Sequence, residues 1–368
     1  MVKRKNQQKN IPRKNLQKKI FFLLLIFVLL LGSLNLAKAR GWLIQEQEPP
    51  EIIDNAIRLS SLTLDQKIAQ MIIVAGRQHN QEAWKRLQLG GIHLFAMQDE
   101  EVYQQTIRNF QSGMAIPFFV TADLEGCRSP FAHFQEFTPA SEIKSAGQAY
   151  EAGTEEGKFL VSLGFTVNFA PVVDLEDAIW RCRSFPGDET VVAELAEAYI
   201  LGIQNEGIIA TAKHYPGKTL VVRDPHKFLV EAEIEAKDIY PYDYLIQKGK
   251  VEAIMVSHVI PSGVISSSTP SVASPALVGA LKMVFPNLII SDEINMLGLK
   301  KFYPRMEDVY VAVFKAGNDL IINFNDDPQE IYRMIQVVKK AVQRGEIPVE
   351  QLDRSVQKIL ETKGFRVQ

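Results

Sequence analysis

The sequence predicts a single (β/α)8 barrel preceded by an N-terminal signal or anchor segment, and three observations lead there. Eight short apolar, β-rich runs alternate with stretches whose apolar residues recur every three or four positions. Acidic and basic side chains of catalytic type collect where those runs end. The first 40 residues hold ten Lys or Arg and no Asp or Glu, and they contain an unbroken apolar run.

Residues 1–19 form a basic head (Lys3, Arg4, Lys5, Lys9, Arg13, Lys14, Lys18, Lys19) that leads into Ile20–Leu31. Positive charge ahead of an apolar run keeps the N-terminus cytoplasmic and sends the downstream chain across the membrane. Residues 20–37 approach the roughly 20 residues that span a bilayer. Ala37-Lys38-Ala39 has the small-residue pattern of a cleavage site, so a retained anchor and a cleaved signal are both compatible with the sequence. The expectation is an extracytoplasmic body, membrane-anchored or secreted. Residues 38–60, with Gln45-Glu46-Gln47-Glu48 and the Pro49-Pro50 pair, are expected to be a linker.

The barrel is expected over 61–368. Its strands are expected at Met71–Val74, Ile92–Phe95, Phe118–Ala122, Thr166–Val173, Ile208–Lys213, Ala253–Val259, Leu288–Ser291 and Asp319–Phe324. Apolar runs alternating with helical segments imply a parallel sheet covered by helices. Eight such units within about 300 residues fit a closed barrel, and neither G-x-G-x-x-G nor a P-loop occurs. After the 40-residue head, the other 328 residues carry 31 basic and 43 acidic side chains, a net charge of −12. Such a body offers no footprint for a nucleic-acid backbone.

A barrel enzyme keeps its chemistry where the strands end. Asp123 and Glu125 follow the third run and Asp174 the fourth; Lys213 and His214 close the fifth, His258 the sixth, and Asp292 and Glu293 the seventh. Asp174 and Glu293 also suit helix caps. A metal site from Asp123, Glu125, His214 and His258 lacks close His or Cys spacing, so no metal and no cofactor are expected. Cys127 and Cys182 both fall in loops on the same predicted face, where they can pair or remain separate buried thiols.

The segment Lys213-His214-Tyr215-Pro216-Gly217, followed by Asp224-Pro225-His226, resembles the fingerprint of glycoside hydrolase family 3, in particular its β-N-acetylglucosaminidase branch. Asp123-Leu124-Glu125-Gly126, Asn168-Phe169-Ala170-Pro171-Val172-Val173-Asp174, Arg183-Ser184-Phe185, Met255-Val256-Ser257-His258, Ser291-Asp292-Glu293 and Ala316-Gly317-Asn318-Asp319 extend it over roughly residues 60–365. The resemblance implies a retaining, exo-acting β-N-acetylhexosaminidase that needs no cofactor. Its substrate would be an N-acetylglucosamine-containing glycan, with peptidoglycan fragments the implied class. Asp292 would be the nucleophile, His226 the general acid/base and Asp224 its partner, while Asp123, Arg183, Lys213, His214 and His258 would contact the sugar. A phosphorylase or β-glucosidase of the same fold is the alternative enzyme. A barrel that binds a glycan or an envelope partner without turnover is the non-enzymatic alternative. Cys127 stands where the family has Gly, Lys218-Thr219 where it has His-Gly, and Pro225 where it has Ser. The Asp174–Arg183 loop is also shorter than usual, and altered specificity is expected from these departures.

Overall fold

The computed structural model describes residues 13–39, 47–127, 129–221, 224 and 227–368, with side chains in the first helix given for 18–29, 31 and 32. The chain divides into two compact units, 1–45 and 46–368. In the first, α1 (Arg13–Ala39) exposes every described apolar side chain, Ile20–Leu29 and Leu31. Among the described residues no helix is long and apolar enough to cross a membrane.

The second unit is built on eight parallel strands: β1 (Ile72–Ala75), β2 (Gly91–His93), β3 (Phe119–Ala122), β4 (Val167–Asn168), β5 (Ile209–Tyr215), β6 (Ala253–Val256), β7 (Leu288–Ser291) and β8 (Ile321–Asn323). From β1 to β7 each pairs with the next in the chain, and β8 returns to β1 through Ile321–Ile72, Ile322–Ile73 and Asn323–Val74. An Ile290–Leu320 bridge spans the remaining edge, where the Ser291 N–H donates to the Leu320 carbonyl at 2.8 Å. The sheet is thus a nearly closed barrel. Its strands are buried along their length, which is why they read as continuous apolar runs without polar alternation.

All eight expected runs overlap a strand, and the fourth, sixth and eighth are cut back most, to Val167–Asn168, Ala253–Val256 and Ile321–Asn323. Pro171 has no N–H to give a ladder, so β4 ends at Asn168, and its path continues through isolated bridges from Val172 to Lys213 and Ser184. After β6, Ile260–Gly263 leaves the barrel and pairs in parallel with Glu231–Ile234. The expected linker is also shorter. From Gln47 on, the segment belongs to the second unit: the Gln47 and Glu48 carbonyls accept from Gln88 Nε2 (2.8 Å) and Gln66 Nε2 (2.7 Å). Ile52–Ile53 and Ala56–Ile57 form a hairpin extended by the C-terminal strand Arg366–Val367. Asp54 and Asn55, at φ 49° and 59°, supply the two left-handed residues that a tight two-residue hairpin needs. Ile57, fully buried, anchors this sheet.

The helices are fixed by ordinary caps. Ser145 caps α5 (Ala146–Leu163) and Asp188 caps α6 (Glu189–Asn205). The C-terminal helix α12 (Val349–Thr362) and α8 (Pro275–Val284) are tied to the barrel by Asp319, which precedes β8. Asp319 accepts from Lys282 Nζ (2.9 Å) and Ser355 Oγ (2.6 Å) on one oxygen, and from Lys358 Nζ (2.9 Å) and the Ile289 N–H (3.0 Å) on the other. Burial alone would raise its pKa, but the two ammonium groups outweigh it and hold the carboxyl below the usual range. Asp319→Ala strands two lysines and a backbone donor, so denaturant titration should show a loss of about 3 kcal/mol. A loss under about 1 kcal/mol would remove Asp319 from this role.

Candidate active site

The strand ends converge on one opening of about 70 Å³, lined among others by Asp123, Arg183, Lys213, His214, Asp292 and Phe324. β5 explains how two consecutive residues both face it. Against β6 the register runs Lys213–Met255 and then Tyr215–Val256, so His214 is an extra residue, and such a bulge re-aims side chains that would otherwise alternate.

The buried Lys213 ammonium lies between two carboxylates, 2.7 Å from Asp123 Oδ1 and in contact with Glu125 Oε1. Burial would lower the lysine pKa, but Asp123 and Glu125 more than offset it and keep the ammonium charged. Glu125 also receives a fork from Arg183, through Nε and through Nη2 at 2.9 Å. The carboxylates divide the work by exposure: the Glu125 side chain is 4% exposed and that of Asp123 is 43% exposed. Glu125 therefore joins two cations inside the wall, while Asp123 presents its carboxylate to the opening. For Asp123 the burial cost is outweighed chiefly by the Lys213 ammonium, leaving the pKa below the ordinary value. His93 Nε2 sits 3.7 Å from Asp123 Oδ2, and its Nδ1 is 2.9 Å from Thr121 Oγ1. Burial pulls the imidazole pKa down to about 4, so the ring is neutral at pH 7.

Arg183 is held by its own loop. The Asp177 carboxylate accepts the backbone N–H groups of Trp180 (2.8 Å), Cys182 (3.1 Å) and Arg183 (3.0 Å), closing the turn that delivers the guanidinium. The Trp180 ring lies 4.6 Å from the Arg183 guanidinium carbon. A disulfide joins Cys182 to Cys127, with Cα atoms 6.1 Å apart, and links this turn to the one bearing Asp123 and Glu125.

His214 Nδ1 is 3.0 Å from Asp174 Oδ2. Burial pushes the Asp174 carboxyl up to about 7, and its Oδ1 has no hydrogen bond among the described residues. Asp292, half-buried, accepts the Glu293 N–H on Oδ1 at 2.7 Å, and its own N–H donates to the Val256 carbonyl at 3.0 Å. The neighbouring Glu293 is occupied differently. Its Oε1 accepts from the Asn295 N–H (2.9 Å), Asn295 Nδ2 (2.9 Å) and the Phe324 N–H (3.1 Å), which ties the turn after β7 to the end of β8. Burial raises its pKa.

Asp123, Arg183, Lys213, His214 and Asp292 thus share one opening. His258 is buried at the end of β6 and does not line it. Asp224 is half-buried, 3.2 Å from Lys227 Nζ, and does not line it either. His226 lies outside the described residues. Glu125 stood out in the sequence only as one strand-end carboxylate among several, whereas its bridging of Lys213 and Arg183 requires the fold. Nothing local marked His93 or Asp177. Among the described residues no cluster of three or more His, Cys, Asp or Glu is arranged to hold a metal ion.

The family model described as glycosyl hydrolase family 3 N terminal domain matches residues 63–362. The beta-hexosaminidase LpqI of Mycobacterium tuberculosis is 26% identical over 322 residues, covering 81% of this chain and 82% of the relative. A beta-hexosaminidase of Haemophilus influenzae is 30% identical over 297 residues, covering 73% of this chain and 80% of the relative. Among solved structures, a glycosyl hydrolase of family 3 from Mycobacterium smegmatis superposes with a TM-score of 0.76 at 27% identity, covering 84% of this chain and 99% of that one.

Proposed function

The chain belongs to glycoside hydrolase family 3, and on that premise we propose that it is a β-N-acetylhexosaminidase that removes terminal N-acetylglucosamine from glycans, with retention of configuration. The reading rests on one placement above all: Asp292 opens into the same space as Asp123, Lys213 and Arg183. A retaining glycosidase needs a carboxylate that can reach the anomeric carbon, and Asp292, anchored at the end of β7 through the Glu293 N–H and the Val256 carbonyl, supports that role. Asp123, Lys213, Arg183 and His214 offer fixed acceptors and donors to the sugar hydroxyls. In the first step Asp292 displaces the aglycone oxygen while His226 protonates it. In the second, water attacks the glycosyl ester with His226 as base and Asp224 steadying the imidazolium.

Purified protein should release chromophore from an aryl β-N-acetylglucosaminide much faster than from the matching β-glucoside. Equal rates would sink the preference for the acetamido sugar, and phosphate-dependent formation of a sugar 1-phosphate would make the enzyme a phosphorylase. His226→Ala should slow natural disaccharides by on the order of 10²- to 10⁴-fold, the scale of general acid catalysis, and activated aryl glycosides far less, because a good leaving group needs little protonation. Asp224→Ala should show the same pattern more mildly. Equal losses on both substrate types would remove His226 from the acid role.

The body acts outside the cytoplasmic membrane, on peptidoglycan-derived fragments, held or exported by residues 1–37. Support comes from the basic head before the apolar run and from the exposed apolar side chains of α1. Fractionation of cells expressing the full chain tests this; activity confined to the cytosol would exclude it.

A further inference from the structure

Behind the turn that carries Asp123 lies a void of about 20 Å³, room for about one water molecule, lined among others by Leu124, Glu125, Arg183, Glu156 and Tyr199. The turn itself is fixed by hydrogen bonds. Asn168, at the end of β4 and fully buried, grips Leu124 at both backbone groups: the Leu124 N–H donates to Oδ1 (2.9 Å) and Nδ2 donates to the Leu124 carbonyl (2.9 Å). Leu124 is the residue between Asp123 and Glu125.

The Asn168 amide is oriented in turn. Its Nδ2 also donates to the Tyr199 hydroxyl at 3.2 Å, and that hydroxyl donates to Glu156 Oε2. Tyr199 is on α6 and Glu156 on α5, both buried. The two helices meet through glycines. A Cβ at Gly153 would fall 2.2 Å from the Tyr199 carbonyl oxygen, and one at Gly202 would fall 2.3 Å from the Tyr150 carbonyl oxygen. Only hydrogen at these positions lets α5 approach closely enough for Glu156 to reach Tyr199. A carboxyl in a helix interface is expensive as an anion, and burial pushes this one up to about 8, so it serves at neutral pH as an uncharged partner.

We propose that Glu156 and Tyr199 are positioning residues for Asp123, acting through Asn168 and the backbone of Leu124. The chain runs from the outer helices to the opening as Glu156, Tyr199, Asn168, Leu124, Asp123. It rests on the reading of Asp123 as a sugar contact. Neither Glu156 nor Tyr199 lines the opening that holds Asp292, so they act on substrate only through the turn.

The test is steady-state kinetics on an aryl β-N-acetylglucosaminide, with each variant made both in the parent and in Asp123→Ala. Glu156→Leu in the parent should raise KM about tenfold with kcat within about threefold, the scale of one buried hydrogen bond lost. Glu156→Gln, which still offers an acceptor oxygen to Tyr199, should return KM to within about twofold of the parent value. In Asp123→Ala, Glu156→Leu should add nothing, because its route to the sugar is already gone. Tyr199→Phe removes one oxygen and keeps the volume, so it gives the same readout should Glu156→Leu fail to fold. Full additivity in the Asp123→Ala background, or an unchanged KM in the folded variants, would overturn the relay. A separate result, Asp123→Ala with unchanged KM, would overturn the sugar-contact reading itself and the relay with it.

Discussion

Asp292→Ala is expected to leave a folded protein whose glycosidase turnover has dropped by on the order of 10⁴- to 10⁶-fold, the scale on which a covalent nucleophile is lost. The structure separates this residue from its neighbour. Among the described residues the Asp292 carboxylate accepts one N–H, from Glu293, at the edge of an opening where water can replace it. Its removal should therefore change the melting temperature little. Glu293→Ala instead deletes an oxygen that gathers two backbone donors and the Asn295 amide, and it severs the tie between the turns after β7 and β8. That variant should lose about 2 kcal/mol of stability, since buried donors are left unpaired. Its activity loss should be smaller and should come through misplacement of Asp292. Normal hydrolysis by Asp292→Ala beside an inactive Glu293→Ala would reverse the assignment.

The barrel was legible because its strands are buried on both faces and so stand out as short apolar runs between amphipathic stretches. Boundaries failed where one residue changed the local rule. Pro171 ended β4 early, and the Asp54-Asn55 pair turned an expected tether into a hairpin. The site was legible as far as chemistry sits at strand ends, which brought Asp123, Lys213, His214 and Asp292 together. Arg183 was found through its motif. What holds Arg183 in place could not be read, because Asp177 acts by collecting three backbone donors from a turn with no periodic signature. Glu125, His93, Glu156 and Tyr199 were hidden for a related reason: their partners lie at least 28 residues away, and only strand and helix packing brings them into contact. His258 also ends a strand and is buried, but it is not among the described residues that line the opening.

Reducing the Cys127–Cys182 disulfide should lower stability and sugar affinity together. The bridge closes a loop of sequence separation 55 that contains α5, β4 and Asp174. Chain-entropy arguments assign a loop of that size about 4 kcal/mol. For a barrel of roughly 320 residues, with an unfolding entropy of about 2.1 cal/mol/K per residue, that is a melting shift of roughly 6 °C. The effect on binding comes from position. Cys127 is two residues from Glu125, and Cys182 immediately precedes Arg183, so the covalent link and the Glu125–Arg183 fork join the same two turns. With the disulfide gone, the fork remains to hold Arg183 against Glu125, and the Asp177 turn still presents the guanidinium. Ligand affinity should fall by a fewfold rather than vanish, because the fork persists, while turnover of bound substrate at Asp292 should be nearly unchanged. The Cys127→Ser/Cys182→Ser variant should reproduce the reduced protein in both respects. Mass-spectrometric thiol counting on protein made in an oxidising compartment decides the premise: two free thiols in unreduced, active enzyme would sink it. Equal melting temperatures with and without reductant would show that the bridge, though formed, constrains nothing the native packing does not already hold.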